Sequence, residues 1–168
     1  MFISLKKQGG VGLVEVLISL VILAIGVLGF LALQYRAIEA NSEGGNRVIA
    51  MNLARDLAER MRVNPNQLSS YPNLIVAAKS QNVASTSCYQ NYCDASQLAV
   101  FDASQVVASA KSFAMSINML PCNGNENERK CIYVAWGETS ATNGSELQDC
   151  TDGSKYQTNS TCLIMEAY

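Results

Sequence analysis

Six cysteines and one glutamate are the residues of this 168-residue chain whose types and spacing promise chemistry: Cys88, Cys93, Cys122, Cys131, Cys150, Cys162 and Glu15. No two cysteines form a C-x-x-C pair and the chain has no histidine, so the usual zinc-ligand spacings are missing. Oxidation to disulfides is the chemistry left, and a small domain with a limited core in an oxidising compartment uses such staples. Several connectivities are open to six cysteines. The sequence-local set, Cys88 with Cys93, Cys122 with Cys131 and Cys150 with Cys162, is favoured because each pair brackets a polar, Gly/Asn-rich or Tyr-rich turn. Without histidine there is no Ser-His or Cys-His couple, and paired cysteines leave no thiolate nucleophile. Asp149 and Asp152 lie in a Gly/Ser-rich turn without EF-hand spacing and read as solvated loop charges. No catalytic residue, metal or cofactor is expected, and the chain is read as a non-enzyme.

Glu15 is a different case, because the run from Val11 to Leu33 carries no other charge. As a helix rising about 1.5 Å per residue, that run spans a hydrocarbon core of about 30 Å. It is too long for the apolar core of a cleaved secretory signal and no small-residue exit follows it. A plain signal anchor fits the length, and Lys6 and Lys7 would keep the N-terminus cytoplasmic. It leaves Glu15 and Gly9-Gly10 without a reason. A carboxylate in an apolar segment needs a partner or a purpose.

The elements that carry these residues follow from periodicity. Ala50, Leu53, Ala54, Leu57, Ala58 and Met61 recur at three and four residues against a charged face of Arg55, Asp56, Glu59, Arg60 and Arg62. Arg55 with Glu59 has i,i+4 spacing. No proline interrupts Val11 to Asn64, which predicts a single bent helix ended by Asn64-Pro65. The polar stretch from Pro65 to about Ser87 reads as a loop with little regular structure. A second helix starts at the capping pair Asp94 and Gln97 and carries a stripe of Val106, Val107, Ala110, Phe113, Ala114, Ile117 and Leu120 up to Pro121. "CIYVAWGE" and "CLIMEAY" read as strands. The fold class is α+β, with a small antiparallel sheet against a long helix.

The leader "MFISLKKQGG", a glycine before the apolar run and a glutamate five residues beyond it resemble the class III signal of type IV pilins and type II secretion pseudopilins. Gly10, Leu13, Val14 and Glu15 match the pattern, while Val11 and Gly12 stand where that family commonly has Phe and Thr. Together with "MNLARDLAERMRVNP", the first 65 or so residues resemble the PilV-type minor pilins, the pilus modification proteins.

The resemblance implies a type IV pilin fold with a cleaved leader at 1–10, a membrane-spanning and filament-core helix at 11–33, an amphipathic half at 34–64 and a disulfide-stapled globular domain at 65–168. Prepilin peptidase would cut between Gly10 and Val11 and N-methylate Val11, and Glu15 would serve subunit assembly by pairing with a neighbour's terminal amine. Implied partners are that peptidase, other minor pilins, the major pilin and the inner-membrane assembly platform. The implied location is the bacterial inner membrane as a single-pass protein with a periplasmic globular domain, and then the pilus. The implied role is a minor pilin of an initiating or tip complex; the alternatives are a type II secretion minor pseudopilin and a pilus-tip adhesin. Charge agrees, since 12 basic and 14 acidic residues become 10 and 14 once Lys6 and Lys7 leave. That balance offers no nucleic-acid footprint.

Overall fold

The computed structural model describes residues 10, 12–76, 87–124 and 129–168. Its elements are a helix α1 (Leu13–Val63), a 3-10 turn (Pro65–Gln67), α2 (Tyr71–Leu74), α3 (Ala95–Ser112), β1 (Met115–Pro121), β2 (Lys130–Trp136), β3 (Ser140–Asn143), β4 (Asp149–Thr151) and β5 (Cys162–Glu166). The chain divides into two compact units, Met1–Glu43 and Gly44–Tyr168.

In the first unit the described residues of α1 are exposed from Leu13 to Ser42. Leu, Ile, Val and Phe dominate as far as Leu33, and no described side chain of this unit is buried. By length and composition α1 can cross a membrane.

The second unit is built on the last twenty residues of α1. Ala50, Leu53, Ala54, Leu57 and Met61 are buried there, five of the stripe that the three-four spacing predicts, with Ala58 partly buried beside them. Burying each of the larger ones stabilises by about 1.5–3 kcal/mol relative to exposure. The helix stops because the residue before a proline avoids the α region; Asn64 has φ −119° and ψ 62°. Arg60 and Arg62 in the last turn favour the negative helix end. Glu59 pairs with Arg62 at 3.3 Å and not with Arg55, which corrects the i,i+4 expectation.

The segment expected to be an irregular loop contains the 3-10 turn and α2, and it delivers Tyr71 and Ile75, both fully buried, into the core. Residues 77–86 of that expected loop lie outside the described residues. The capping box of α3 is present: the Gln97 amide donates to the Asp94 carboxylate at 2.8 Å, and the Asp94 amide donates to Gln97 Oε1 at 3.1 Å.

α3 ends at Ser112, not at Pro121. Ala114 takes a left-handed turn at φ 54°, and β1 begins at Met115. The expected stripe through Ile117 and Leu120 therefore crosses from helix into strand. The residues from Met115 on satisfy two periods at once, and the period of two, with Met115, Ile117 and Met119 buried together, is the one realised. Pro121 sits at the end of an edge strand, where no ladder donor is required of it.

The main sheet is antiparallel in the order β1-β2-β5. β2 is its centre and is buried on both faces: Ile132, Val134 and Trp136 join the helices in one core, while Cys131, Tyr133 and Ala135 join Ala141 and Cys150 in a second. A separate parallel pair, β3 and β4, covers that second face, an addition to the purely antiparallel expectation.

Candidate functional site

At the N-terminal end, Gly10 is exposed with open space where a Cβ would stand. Val11, Lys6 and Lys7 lie outside the described residues, so the expected cut and methylation positions are described only through Gly10. Gly12 opens the helix, its carbonyl accepting from the amides of Glu15 at 3.0 Å and Val16 at 3.3 Å. Glu15 thus stands in the first turn, where the free amides and the helix dipole favour a carboxylate. Its carboxylate has no side-chain partner among the described residues; only its backbone oxygen is engaged, by Ser19 Oγ at 2.7 Å. Around and beyond it Leu13, Val14, Leu17, Val21 and Leu28 leave more than half of their surface uncovered. A carboxylate without a side-chain partner among the described residues heads an uncovered apolar helix, and an exposed apolar surface of this size marks a protein or membrane contact.

The second unit carries a polar cluster that the sequence reading did not anticipate. Asp102 on α3 is buried, accepting from Arg60 Nη1 at 2.9 Å and from the Tyr71 hydroxyl at 3.1 Å. Arg60 Nε also donates to Asp56, at 3.0 and 3.1 Å. Burial first and the Asp102 carboxylate second raise the Tyr71 phenol well above its ordinary value, so it stays a neutral donor. Burial alone would lower Arg60, but the bonds to Asp102 and Asp56 outweigh it and the net shift is upward. This cluster fastens α1, α2 and α3 of the second unit to one another. A buried carboxylate with both partners in place is structural chemistry, and losing either partner would leave the charge uncompensated. Tyr71 amid Ser, Asn and Pro was the available signal, a large aromatic in an otherwise polar run.

Three disulfides join the sequence-local neighbours: Cys88 to Cys93, Cys122 to Cys131 and Cys150 to Cys162. The last two brace the second core on either side of Tyr133. Asp149 and Asp152 are occupied in loop construction. Asp149 accepts from Thr142 Oγ1 and from the Glu146 amide, and its carboxylate fills the space a Cβ at Gly144 would take, so a larger residue there would have to push that carboxylate off its bonds. Asp152 accepts from the amides of Ser154 and Lys155 and from Ser154 Oγ at 2.9–3.0 Å, which holds its carboxyl at about 2. Among the described residues no group of Cys, Asp and Glu could hold a metal ion.

Residues 5–31 match the family described as the prokaryotic N-terminal methylation motif, and residues 32–104 match the family described as type IV pilin Tt1218. Comparison with curated proteins and with solved structures yields no match. The two family matches adjoin without a gap and together take in Gly10, Glu15, all of α1 and the cap of α3. The long helix with its apolar stretch, the small antiparallel sheet and the three disulfides agree with the type IV pilin fold.

Proposed function

We infer that this chain is a type IV pilin, processed by prepilin peptidase and assembled with other pilins, and we propose for it the part of a PilV-type minor pilin that joins an initiating or tip complex and promotes pilus assembly. The observation that carries this reading is the Glu15 carboxylate, without a side-chain partner among the described residues, at the head of an exposed apolar helix inside a methylation motif. In the proposal, cleavage between Gly10 and Val11 exposes a new terminal amine, methylated on Val11. The helix from Val11 to Leu33 holds the protein in the inner membrane with residues 65–168 in the periplasm. On assembly it leaves lipid for a bundle of like helices, where the Glu15 carboxylate of one subunit accepts the terminal ammonium of the next. The work is mechanical and the protein acts without catalysis.

The type IV pilin match over residues 32–104 supports a pilus component over a secretion pseudopilin. Deletion of the gene, compared for surface pili with and without an allele that blocks retraction, tests the role. Loss of pili that returns when retraction is blocked is the expected outcome. Full piliation in both backgrounds would refute an assembly role.

A further inference from the structure

Two Asn-Gly pairs occur in the sequence, Asn123-Gly124 in the loop after β1 and Asn143-Gly144 at the end of β3. Such a pair can react with itself. The glycine backbone nitrogen attacks the asparagine side-chain carbonyl, and an N–Cγ bond forms as the Cγ–Nδ2 bond breaks and ammonia leaves with the amide proton. Water then opens the cyclic imide at either carbonyl, giving aspartate or isoaspartate, the latter with an extra methylene in the main chain. Glycine favours the attack because it has no Cβ to shield its nitrogen and its backbone turns freely.

The fold treats the two pairs differently. Asn143 stands opposite Thr151 in the β3–β4 ladder, and the Gly144 amide donates to the Thr151 carbonyl at 2.9 Å. The Gly144 carbonyl accepts from Gln157 Nε2 at 3.0 Å, and the Asp149 carboxylate lies where a Cβ of Gly144 would stand. To attack, this nitrogen must give up its hydrogen bond and bend a backbone pinned on both sides. Gly124 is held by no such bonds. It is exposed at φ 73° with open space where a Cβ would stand, and neither its amide nor the Asn123 side chain has a hydrogen-bond partner among the described residues. Asn123 is exposed as well, so water reaches the imide. Its Nδ2 rests 3.3 Å from the position a Cβ of Gly153 would take, a contact that leaves no bond to break.

We propose that Asn123 is a self-modification site, converted to aspartate and isoaspartate by attack of the Gly124 nitrogen, while the β3–β4 ladder keeps Asn143 unreacted. The reaction consumes only water. It leaves one more negative charge on the loop that the Cys122–Cys131 disulfide closes. The site is independent of Glu15 and of the assembly role, so the two readings stand or fall separately.

The test keeps the full chain in lauryldimethylamine oxide micelles in mildly alkaline buffer, samples it over weeks and digests it for mass mapping, with electron-transfer fragmentation to tell isoaspartate from aspartate. Asn123 should convert at least about tenfold faster than Asn143, the scale set by the hydrogen bond that Gly144 must give up. In urea with the disulfides reduced the two rates should converge, because the fold is what separates them. Isoelectric focusing of the aged whole chain should show an acidic form that Asn123→Gln abolishes and Asn143→Gln leaves in place; glutamine keeps the amide but closes its larger ring far more slowly. An Asn123 that stays an amide, equal rates at the two asparagines of the folded chain, or a rate difference that persists undiminished in urea overturns the proposal.

Discussion

The two halves of α1 have the same backbone and opposite economies of side chain. Between Leu13 and Ser42 every described residue is exposed, whereas between Ala50 and Met61 five residues vanish into a core. Helix propensity does not explain the difference, since the half richer in Val, Ile and Gly is as helical as the other. Partners do. The second half finds its partners in α3 and the sheet of the same chain; the first has none among the described residues, and in the proposed role it takes them from lipid and then from other subunits. In that proposal one helix is a folding element along part of its length and an assembly element along the rest.

Glu15 offers the severest way to break this comparison. Glu15→Leu removes one member of the proposed intersubunit pair, and losing half of a buried pair costs roughly 3–5 kcal/mol. The variant should accumulate as a processed, membrane-held protein that supports no pili. Normal piliation in a strain that depends on this protein would mean the first half of α1 assembles by apolar packing alone.

Matched leucines sharpen the contrast next. Leu57 is fully buried and Leu28 is 65% exposed. Leu57→Ala should lower the stability of the 44–168 unit by about 2–5 kcal/mol. Leu28→Ala should leave its thermal melt unchanged, as read by near-UV circular dichroism of the full chain in micelles. Equal effects would abolish the division between the halves.

A smaller loss, about 2–4 kcal/mol, is expected when Cys150 and Cys162 are both replaced by serine, because the bond closes a loop beside the second core. Limited proteolysis should then cut within residues 140–161 while the apolar segment stays with the membrane fraction. Resistance equal to that of the unaltered protein would show β3 and β4 to be self-sustaining.

The least effect belongs to Asp152. Its carboxyl is held at about 2, below the ordinary 3.8, by the bonds from Ser154 and Lys155. A folded-state value below the unfolded one adds stability at pH above about 4, and that stability is lost as pH falls towards 2. An acid titration of Asp152→Asn should lack this small component and otherwise overlay the parent; a larger divergence above pH 5 would locate it elsewhere.

How much of this was legible in the sequence follows from which interactions are local. The long helix, the Asp94–Gln97 cap and the two apolar strands declare themselves by period and by neighbours three or four residues apart. β1 did not, because Met115 to Leu120 fit two periods and only pairing with β2 decides between them. Tyr71 and Arg60 looked like loop and solvated face, and what recruits them is Asp102, distant in sequence. β3 and β4, reading SATN and DCT, lack an apolar run of their own; a disulfide and side-chain bonds to backbone define them. At the proposed assembly site Glu15 was legible because a lone charge in an apolar run is conspicuous.

The double burial of β2 has a consequence for descent. Every position from Cys131 to Trp136 is enclosed, so each accepts only residues of matching size and polarity. β3 and β4 send inward mainly Ala141, Cys150 and Thr151. Mutations should therefore accumulate unevenly in lineages of this protein, with the central strand nearly frozen and the outward positions of the β3–β4 cover rewritten freely. A chain so arranged can present new surfaces to its surroundings from one generation of variants to the next while the frame behind them stays the same.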